Sequence, residues 1–257
     1  MQYFMNKAQY LTLLEHAQTD PNILGFFLVG SRGKGFEAPS SDYDPVMVVV
    51  NEKIKRYARK YPSSKYADLM VFSLEEFERY AAWGTSTAWD RYDFAHITVP
   101  LDKTNGRIQS LVAEKAKIPR KQREPFVHNA LEVYLNEFFR SVKSSVRKNR
   151  VGQKFHAALS VISLIDAVFA LEGRVRPFYD YLSWELEHAP LLRLPNKIPS
   201  EFVKSISRIL TTGSVFEQEN LFCRMSDMFS RHGFRHVFDE WEKEMRWVKP
   251  YCKVGKK

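Results

Sequence analysis

The sequence predicts an α+β fold, with an N-terminal mixed β-sheet flanked by helices and an all-α C-terminal helical bundle. In the first half, short apolar runs bounded by turn residues alternate with helix-prone segments. These runs are residues 24–29, 45–50 and 66–72. After Pro119 the strand signals fade, and apolar residues recur with the 3.6-residue period of packed helices. We therefore expect two domains, residues 1–118 and residues 119–257.

Each element of the N-terminal half has a local reason in the sequence. Residues 6–18 carry one apolar helical side, and a proline-containing turn follows them. Pro45 opens the second strand, where its missing N–H is tolerated. Ser73 with Glu76 three residues later forms a capping-box pattern, which predicts a helix over residues 73–82. The last predicted elements of this half are a strand at 96–101 and a helix at 107–117.

The C-terminal half contains five segments with helical periodicity. They lie at about 125–149, 152–172, 178–188, 200–211 and 215–247. The first segment has an apolar stripe that we expect to face the core of a bundle. Its members are Leu131, Leu135, Phe138 and Val142.

One loop carries most of the functional information in the chain. A strand-like run that ends at Val29 leads into Gly30-Ser31, and ten residues separate Ser31 from Asp42. Glycine lets the backbone approach a phosphate closely, and the serine hydroxyl adds a hydrogen-bond donor. Arg32 brings positive charge to the same loop.

Asp42 and Asp44 are expected to present two carboxylates side by side at the start of a strand. Residues i and i+2 of a strand point to the same face, and two like charges this close repel each other. A bound cation relieves the repulsion, and Mg²⁺ prefers a few carboxylates together with phosphate oxygens. The loop and the aspartates therefore favour a site for Mg²⁺ and a nucleotide triphosphate. The alternative is a plain turn with solvated aspartates.

Other motifs for phosphate binding and hydrolysis do not fit. Gly25 to Gly30 has the glycine spacing of a P-loop, but Ser31 stands where the lysine is required. The glycines at 30, 33 and 35 read G-x-x-G-x-G, which is not the dinucleotide-binding order. The sequence also lacks the G-x-S-x-G elbow, so a hydrolase triad has no support.

The run from Leu28 through Ser31 to Ser41-Asp42-Tyr43-Asp44 resembles the signature of the DNA polymerase beta-like nucleotidyltransferase superfamily. That signature is an apolar residue, Gly, Gly or Ser, about ten residues, and then Asp-x-Asp. The form in this chain looks most like the small bacterial branch, which holds the aminoglycoside and lincosamide nucleotidyltransferases and the minimal nucleotidyltransferases. The resemblance covers about residues 24–72 and says little about the acceptor.

The resemblance implies a magnesium-dependent transferase that moves a nucleoside monophosphate onto a hydroxyl and releases pyrophosphate. The leading case is AMP from ATP, with an aminoglycoside or lincosamide as the small-molecule acceptor. Two Mg²⁺ ions would be held by Asp42 and Asp44, with Asp68 as the third carboxylate that the family usually has on a later strand. The nucleotide phosphates would be bound by Gly30, Ser31, Arg32 and Ser41.

Asp68 is a candidate metal ligand on independent grounds as well, because it interrupts an apolar run. A lone buried carboxylate is costly without a partner, and a metal is one such partner. The alternative is an edge-strand aspartate that faces water. Asp90, Asp93 and Asp102 are weaker candidates for the third carboxylate, since their surroundings are typical of turns.

Asp166 is the candidate general base. It falls on the same helical stripe as Phe155, Leu159, Ile162 and Phe169. Burial tends to raise the pKa of a carboxylate toward the value that a base needs near neutral pH. By resemblance, a carboxylate from either the catalytic domain or the helical domain would activate the acceptor hydroxyl, and Asp166 is the candidate from the helical side. The alternative is a buried aspartate satisfied by an arginine, a tyrosine or a backbone N–H.

The net charge of +9 favours anionic partners. A basic stripe at positions 140, 143, 147, 150 and 154 would share one helix face, unless Asn149 to Gly152 break the helix. It is open whether this stripe is a solvated face, a wall beside the triphosphate or a nucleic-acid surface. Related enzymes often carry a phosphate-binding lysine where this chain has Asp180. Phosphate binding would then come from Arg174, Arg176, Lys154 or the basic stripe.

The composition is that of a globular chain, with 44% hydrophobic residues. The N-terminus does not look like a secretory signal, and no run reaches the eighteen or so apolar residues that span a bilayer. We expect a cytoplasmic protein without a membrane partner. Cys223 and Cys252 fit a reducing compartment, and neither they nor the histidines show metal-ligand spacing.

Two other functions stay open at this point. The same fold could act on a protein or an RNA end, as in minimal nucleotidyltransferase antitoxins, and the basic stripe is the main support for this reading. A non-catalytic nucleotide-binding protein is the other, although the intact Asp42 and Asp44 pair argues against it. The sequence does not fix the acceptor, the nucleotide base or the oligomeric state.

Overall fold

The structure is a computed structural model that describes most of the chain. The described residues are 5–62, 65–66, 68–85, 90–194 and 198–247. They fall into two compact units, residues 1–119 and residues 120–257. The first unit holds the sheet and the second is helical, which is the α+β class that the sequence predicts.

The first unit is built on a four-stranded mixed sheet with the strand order β3-β2-β1-β4. β1 (Ile23–Leu28) is antiparallel to β2 (Pro45–Val49) and to β4 (Leu101–Asp102), whereas β2 is parallel to β3 (Met70–Ser73). β2 is buried along its whole length. It reads as an unbroken apolar run because both of its faces are covered.

Helices cover the two faces of this sheet, and neighbouring residues of one strand pack into different cores. Phe27 packs in a cluster with side chains of α4 (Leu74–Ala81) and α5 (Arg107–Lys115). Phe26 packs in a second cluster, with side chains of α1 (Lys7–Thr19) and α3 (Ile54–Lys60). The short helix α2 (Gly30–Gly33) follows β1 directly.

The predicted capping box of α4 is confirmed. The Ser73 hydroxyl accepts a hydrogen bond from the Glu76 N–H at 3.1 Å, and the Glu76 carboxylate accepts one from the Ser73 N–H at 2.9 Å. Two orphan donors at the start of the helix are thereby satisfied. The helix begins directly after β3, so the box also fixes where that strand ends.

Two strands are shorter than the sequence predicts. The apolar run at 66–72 pairs only from Met70, because a turn precedes it. The run at 96–101 pairs only at its end, in β4. His96 has a φ of 63°, and a left-handed residue cannot continue a ladder.

The second unit consists of helices. They are α6 (Arg120–Val146), α7 (Arg150–Leu171), α8 (Leu182–His188), α9 (Ile198–Thr212), α10 (Val215–Phe229) and α11 (Arg235–Glu240). α6 and α7 form an antiparallel hairpin, because Glu137 contacts His156 and Ser141 contacts Gln153. The predicted apolar stripe of α6 is buried as expected.

Several helix boundaries differ from the prediction, and α8 begins at Leu182 rather than at residue 178. α6 begins at Arg120 and includes Pro125 near its start, five residues earlier than expected. The segment predicted as one helix from 215 is interrupted after α10, where Gly233 has a φ of 95°. Cys223 of α10 is disulfide-bonded, which differs from the two reduced cysteines that the sequence favours, and Cys252 lies outside the described residues.

One described helix, α7, is long and apolar enough to cross a membrane by length and composition alone. Ten of its residues are buried within the helical unit, including Ala167 to Leu171. A buried core helix has the same composition, so this feature does not indicate a membrane.

Candidate functional site

The register of the sheet brings Asp44 beside Asp68. β2 and β3 run parallel with Val46 opposite Met70. Asp44 lies two residues before Val46 and Asp68 two residues before Met70, so both precede the same end of two parallel strands. Burial, then the charge of Asp42, and then that of Asp68 raise the pKa of Asp44. Two aspartates that are distant in sequence thus meet at the same end of adjacent strands.

Asp44 lies at the centre of a cluster of carboxylates. Its pKa is raised to about 7, first by burial and then by the charges of Asp42, Asp68 and Asp93, while Lys34 opposes the shift. The structure therefore places the three aspartates that the sequence predicts as metal ligands close enough for their charges to interact, but among the described residues their oxygens do not form a group of three within 4.8 Å. Such a cluster favours a divalent cation, which would neutralise the mutual repulsion.

Asp93 belongs to this cluster, although the sequence offers it only as a weaker candidate for the third carboxylate. It lies in the 3-10 turn Arg91–Phe94, in which Tyr92 and Phe94 are buried. Because Tyr92 and Phe94 are buried on either side of Asp93, its carboxylate is drawn toward the protein interior. This aromatic pair is the sequence signal that could have identified Asp93 as a member of the site. Burial raises the pKa of Asp93 to about 6, with Lys34 opposing the shift and Asp90 adding to it.

Asp68 is held by the backbone in the turn before β3. Its Oδ2 accepts a hydrogen bond from the Met5 N–H at 2.9 Å. A carboxylate has two oxygens with several lone pairs, so this bond orients the group and leaves Oδ1 able to accept another partner. Asp68 is half-buried in this position.

Gly30 is packed directly against Asp44. The Val29 N–H donates to the Asp44 carbonyl at 3.0 Å, which extends the pairing of β1 with β2 by one residue. The chain then turns at Gly30, whose φ is 65°. A Cβ added at Gly30 would lie 2.8 Å from Asp44 Oδ2. Glycine is required here both for the left-handed backbone and for the close approach.

Gly30→Ala is therefore expected to lower metal affinity by at least about tenfold, because the methyl group must displace the Asp44 carboxylate. The matched control is Gly35→Ala. Gly35 has a similar φ of 70°, but nothing lies within 4 Å of an added Cβ. Both variants carry the backbone strain, and only Gly30→Ala disturbs the carboxylate. Titration calorimetry with Mg²⁺ should separate them, and equal affinities in the two variants would contradict the assignment.

Arg32 organises the loop that leads to the aspartates. Its Nε donates to the carbonyls of Ser41 and Asp42 at 3.0 and 2.9 Å, and its Nη2 donates to Ser41 at 2.6 Å. The guanidinium also lies 4.1 Å from the ring centroid of Tyr43. These contacts indicate that Arg32 positions the backbone before Asp42 and Asp44, whereas the sequence predicts a phosphate ligand.

The two predicted serines differ in their surroundings. The Ser41 hydroxyl accepts a hydrogen bond from the Ala38 N–H at 2.9 Å, so it stabilises the loop. The Ser31 hydroxyl makes no hydrogen bond to any of the residues that the structure describes, and it remains available to a ligand. Lys34 adds positive charge beside it, with its ammonium donating to the Asp93 carbonyl at 2.9 Å.

An open groove of about 450 Å³ borders the cluster on the side of Asp42. Lys7 and Arg32 contribute positive charge to its lining, and Ser40 and Ser41 contribute hydroxyl groups. The groove is lined by one carboxylate, that of Asp42, and by these two cations, which suits a ligand that combines a metal ion with phosphates. The groove is formed by the first unit alone.

Asp166, the predicted general base, lies in the helical unit and is ion-paired. Arg176 Nε donates to Asp166 Oδ1 at 2.8 Å. Burial raises the pKa of Asp166, while Arg176 lowers it. The predicted apolar stripe is not a buried face at its start, since Phe155 and Leu159 are 67% and 46% exposed. This is the arginine-satisfied geometry of the alternative reading, and the role of Asp166 as a base stays a prediction.

The helical unit brings together a group of potential metal ligands that the sequence spacing does not indicate. Donor atoms of His128, Glu132 and Glu240 lie within 4.8 Å of one another. Glu132 also accepts a hydrogen bond from the Trp241 indole at 3.0 Å, and His236 stacks on His128. Glu240 is exposed, and clusters that include exposed acidic side chains are common in proteins that bind no metal there.

Comparisons with known proteins add little. Neither a protein-family model nor a curated protein matches the chain. Among solved structures, the chain is similar to a nucleotidyltransferase-like protein from Exiguobacterium sibiricum, with a TM-score of 0.42 and 13% sequence identity over 94% of this chain and 77% of that chain. A similarity this low carries no argument about function, so the geometry of the site has to support any assignment.

Proposed function

We propose that this protein is a magnesium-dependent nucleotidyltransferase. It would move a nucleoside monophosphate, in the leading case AMP from ATP, onto an acceptor hydroxyl and release pyrophosphate. The observation that supports the proposal is the buried Asp44, which packs against the Gly30 turn and whose carboxylate is acted on by the charges of Asp42 and Asp68.

The donor set fits the proposed cation. Asp42, Asp44 and Asp68 supply oxygen ligands only, which hard cations such as Mg²⁺ prefer. When bound, Mg²⁺ would supply charge neutralisation for the triphosphate and the departing pyrophosphate. The clustered charges that raise the pKa of Asp44 agree with such a role.

The protein residues would position the reacting groups. Gly30 permits the backbone to come close to the phosphates, and the Ser31 hydroxyl donates a hydrogen bond to them. Arg32 holds the loop that orients Asp42. The acceptor oxygen forms a bond to the α-phosphorus while the bond from that phosphorus to the oxygen bridging the β-phosphate breaks. The acceptor proton passes to a general base.

The acceptor is proposed to be a hydroxylated small molecule, with aminoglycosides and lincosamides as the first class to test. This choice rests on the motif at residues 28–44 and its resemblance to the antibiotic-modifying branch. A protein or RNA acceptor is the second candidate, and the positive surface of the α6–α7 hairpin favours it.

The test is pyrophosphate release from each Mg-nucleotide in the presence of a panel of hydroxylated antibiotics. The wild-type protein should release pyrophosphate, chelation should stop it, and Asp42→Asn should lower the rate at least about 10³-fold. Glu52→Gln is the matched control, because Glu52 is an exposed carboxylate of the same unit outside the cluster. An Asp42→Asn variant as active as the control would overturn the proposal. Label transferred from ATP to RNA or protein, with the antibiotic panel silent, would favour the second candidate.

A further inference from the structure

The tip of the α6–α7 hairpin, residues 140–154, is a concentrated positive surface. It carries six exposed bases, namely Arg140, Lys143, Arg147, Lys148, Arg150 and Lys154. The sequence contains no Asp or Glu between residues 138 and 165. Within the part of the chain that the structure describes, none of the six bases forms an ion pair, whereas Arg174 and Arg176 are both paired with carboxylates.

The turn between the helices explains why these bases lie together. Lys148 has a φ of 57° and Asn149 caps α7, so the stripe predicted on one helix face is broken and folded back. α6 contributes the first bases and α7 contributes the last, and both groups lie at the same end of the hairpin. Like charges this close repel each other, which favours a polyanionic partner that neutralises them together.

Polar side chains accompany the bases in two open grooves. One groove, of about 210 Å³, is lined by Asn136, Ser144 and His156 beside Arg140, Lys143 and Arg147. The other, of about 920 Å³, includes Ser145, Gln153 and Thr211 beside Lys148, Arg150 and Lys154. Lysine, arginine, serine, threonine, asparagine and glutamine are the side chains that contact the phosphates and sugars of nucleic acids.

Two further features of the tip agree with such a partner. The 22-residue helix α7 begins there with no acidic residue in its first turn, so its N-terminal N–H groups add positive potential. Phe155 is 67% exposed, and an exposed ring among bases offers a surface on which a nucleobase can stack.

We propose that the hairpin tip binds the sugar-phosphate backbone of a nucleic acid. The bases extend over successive turns of two helices, which exceeds what a single nucleotide can contact. The polar grooves suit a chain of phosphates that enters them, whereas an anionic membrane would contact a flat surface. This binding goes beyond the proposed transferase reaction and does not require it.

The test measures the anisotropy of a labelled RNA of about 20 nucleotides, and of DNA of the same sequence, across a salt series. Arg147→Gln/Lys148→Gln/Arg150→Gln should bind at least about tenfold more weakly than wild type, with a salt slope reduced by about 2 to 3. The matched control is Lys55→Gln/Arg56→Gln/Arg59→Gln, which removes the same charge from exposed positions of α3 and should stay within about twofold of wild type. Circular dichroism would establish that both variants are folded.

Three results would overturn the proposal. They are the absence of binding to either polymer at about 50 mM salt, equal weakening in both triple variants, and binding to phosphatidylserine vesicles without binding to RNA or DNA. Asp42→Asn separates this proposal from the transferase function, since it should retain nucleic-acid binding while losing pyrophosphate release.

Discussion

Asp44→Asn is expected to abolish turnover and, at the same time, to stabilise the metal-free protein at about pH 8. Turnover should fall at least about 10³-fold, because the variant loses a central charge of the proposed metal site. Stability should rise because asparagine does not add negative charge to the cluster that contains Asp42, Asp68 and Asp93. A carboxylate that serves activity but lowers the stability of the fold is expected to show both effects when it is replaced.

The pH dependence of the metal-free protein follows from the same group. The pKa of Asp44 is about 7 in the folded protein, above the usual value of 3.8. The folded state therefore favours the protonated carboxyl, and its contribution to stability is fully present below about pH 4 and lost as the pH rises through 7. The metal-free wild type should be less stable at about pH 8 than at about pH 5.5, and Asp44→Asn should flatten this difference.

Thermal denaturation of both proteins at the two pH values, with and without Mg²⁺, would measure these effects. Mg²⁺ should raise the melting temperature of the wild type at about pH 8 and leave Asp44→Asn unchanged, since a ligand stabilises only the state that binds it. Glu52→Gln should follow the wild type throughout. If Asp44→Asn were less stable than the wild type at about pH 8 without metal, the repulsive cluster would be the wrong description of this site.

The sequence predicts much of the candidate site because the spacing of its residues is local. Gly30, Ser31, Asp42 and Asp44 are separated by one loop between two paired strands, so their proximity follows from an antiparallel pairing. The position of Asp68 can also be predicted from the sequence, because two parallel neighbouring strands begin at the same edge of the sheet.

Other features depend on contacts that no spacing indicates. Asp93 joins the cluster through a short turn whose buried aromatic residues decide its position. Arg32 has the residue type of a phosphate ligand, but its side chain is committed to loop carbonyls. The basic stripe has a helical period that continues past Lys148, and only the left-handed backbone at that residue folds it into a hairpin tip. Each of these outcomes is decided by tertiary packing or by a single backbone angle.

The role of Asp90 is also not predictable from sequence spacing, because its buried carboxylate makes structural contacts with residues distant in the sequence. Lys115 Nζ lies 2.9 Å from Asp90 Oδ1, and the two side chains are 0% and 6% exposed. The Tyr80 hydroxyl donates to Asp90, and the Lys115 ammonium lies 3.5 Å from the centroid of the Tyr80 ring. Arg91 next to this pair donates to the carbonyls of Lys115 and Ala81 at the ends of α5 and α4. Asp90, which the sequence offers with Asp93 as a weaker metal-ligand candidate, thus links α4 to α5.

Asp90→Asn is therefore expected to lower the free energy of unfolding by about 3 to 5 kcal/mol, because it removes the carboxylate that pairs directly with the buried Lys115 ammonium. Burial already lowers the pKa of Lys115, and Asp90 opposes that shift, so removing Asp90 should favour loss of the lysine proton. The destabilisation should then be smaller at higher pH, where deprotonation of the Lys115 ammonium to the neutral amine requires less free energy.

The double variant Asp90→Asn/Lys115→Met separates loss of the ion pair from loss of packing. Replacing a buried pair with residues of similar volume is often nearly neutral, so the double variant should recover most of the stability that Asp90→Asn loses. Urea denaturation of the wild type, both single variants and the double variant gives the coupling energy directly. A double variant whose losses simply add would mean that Asp90 and Lys115 stabilise the fold independently, and that the ion pair does not hold α4 and α5 together.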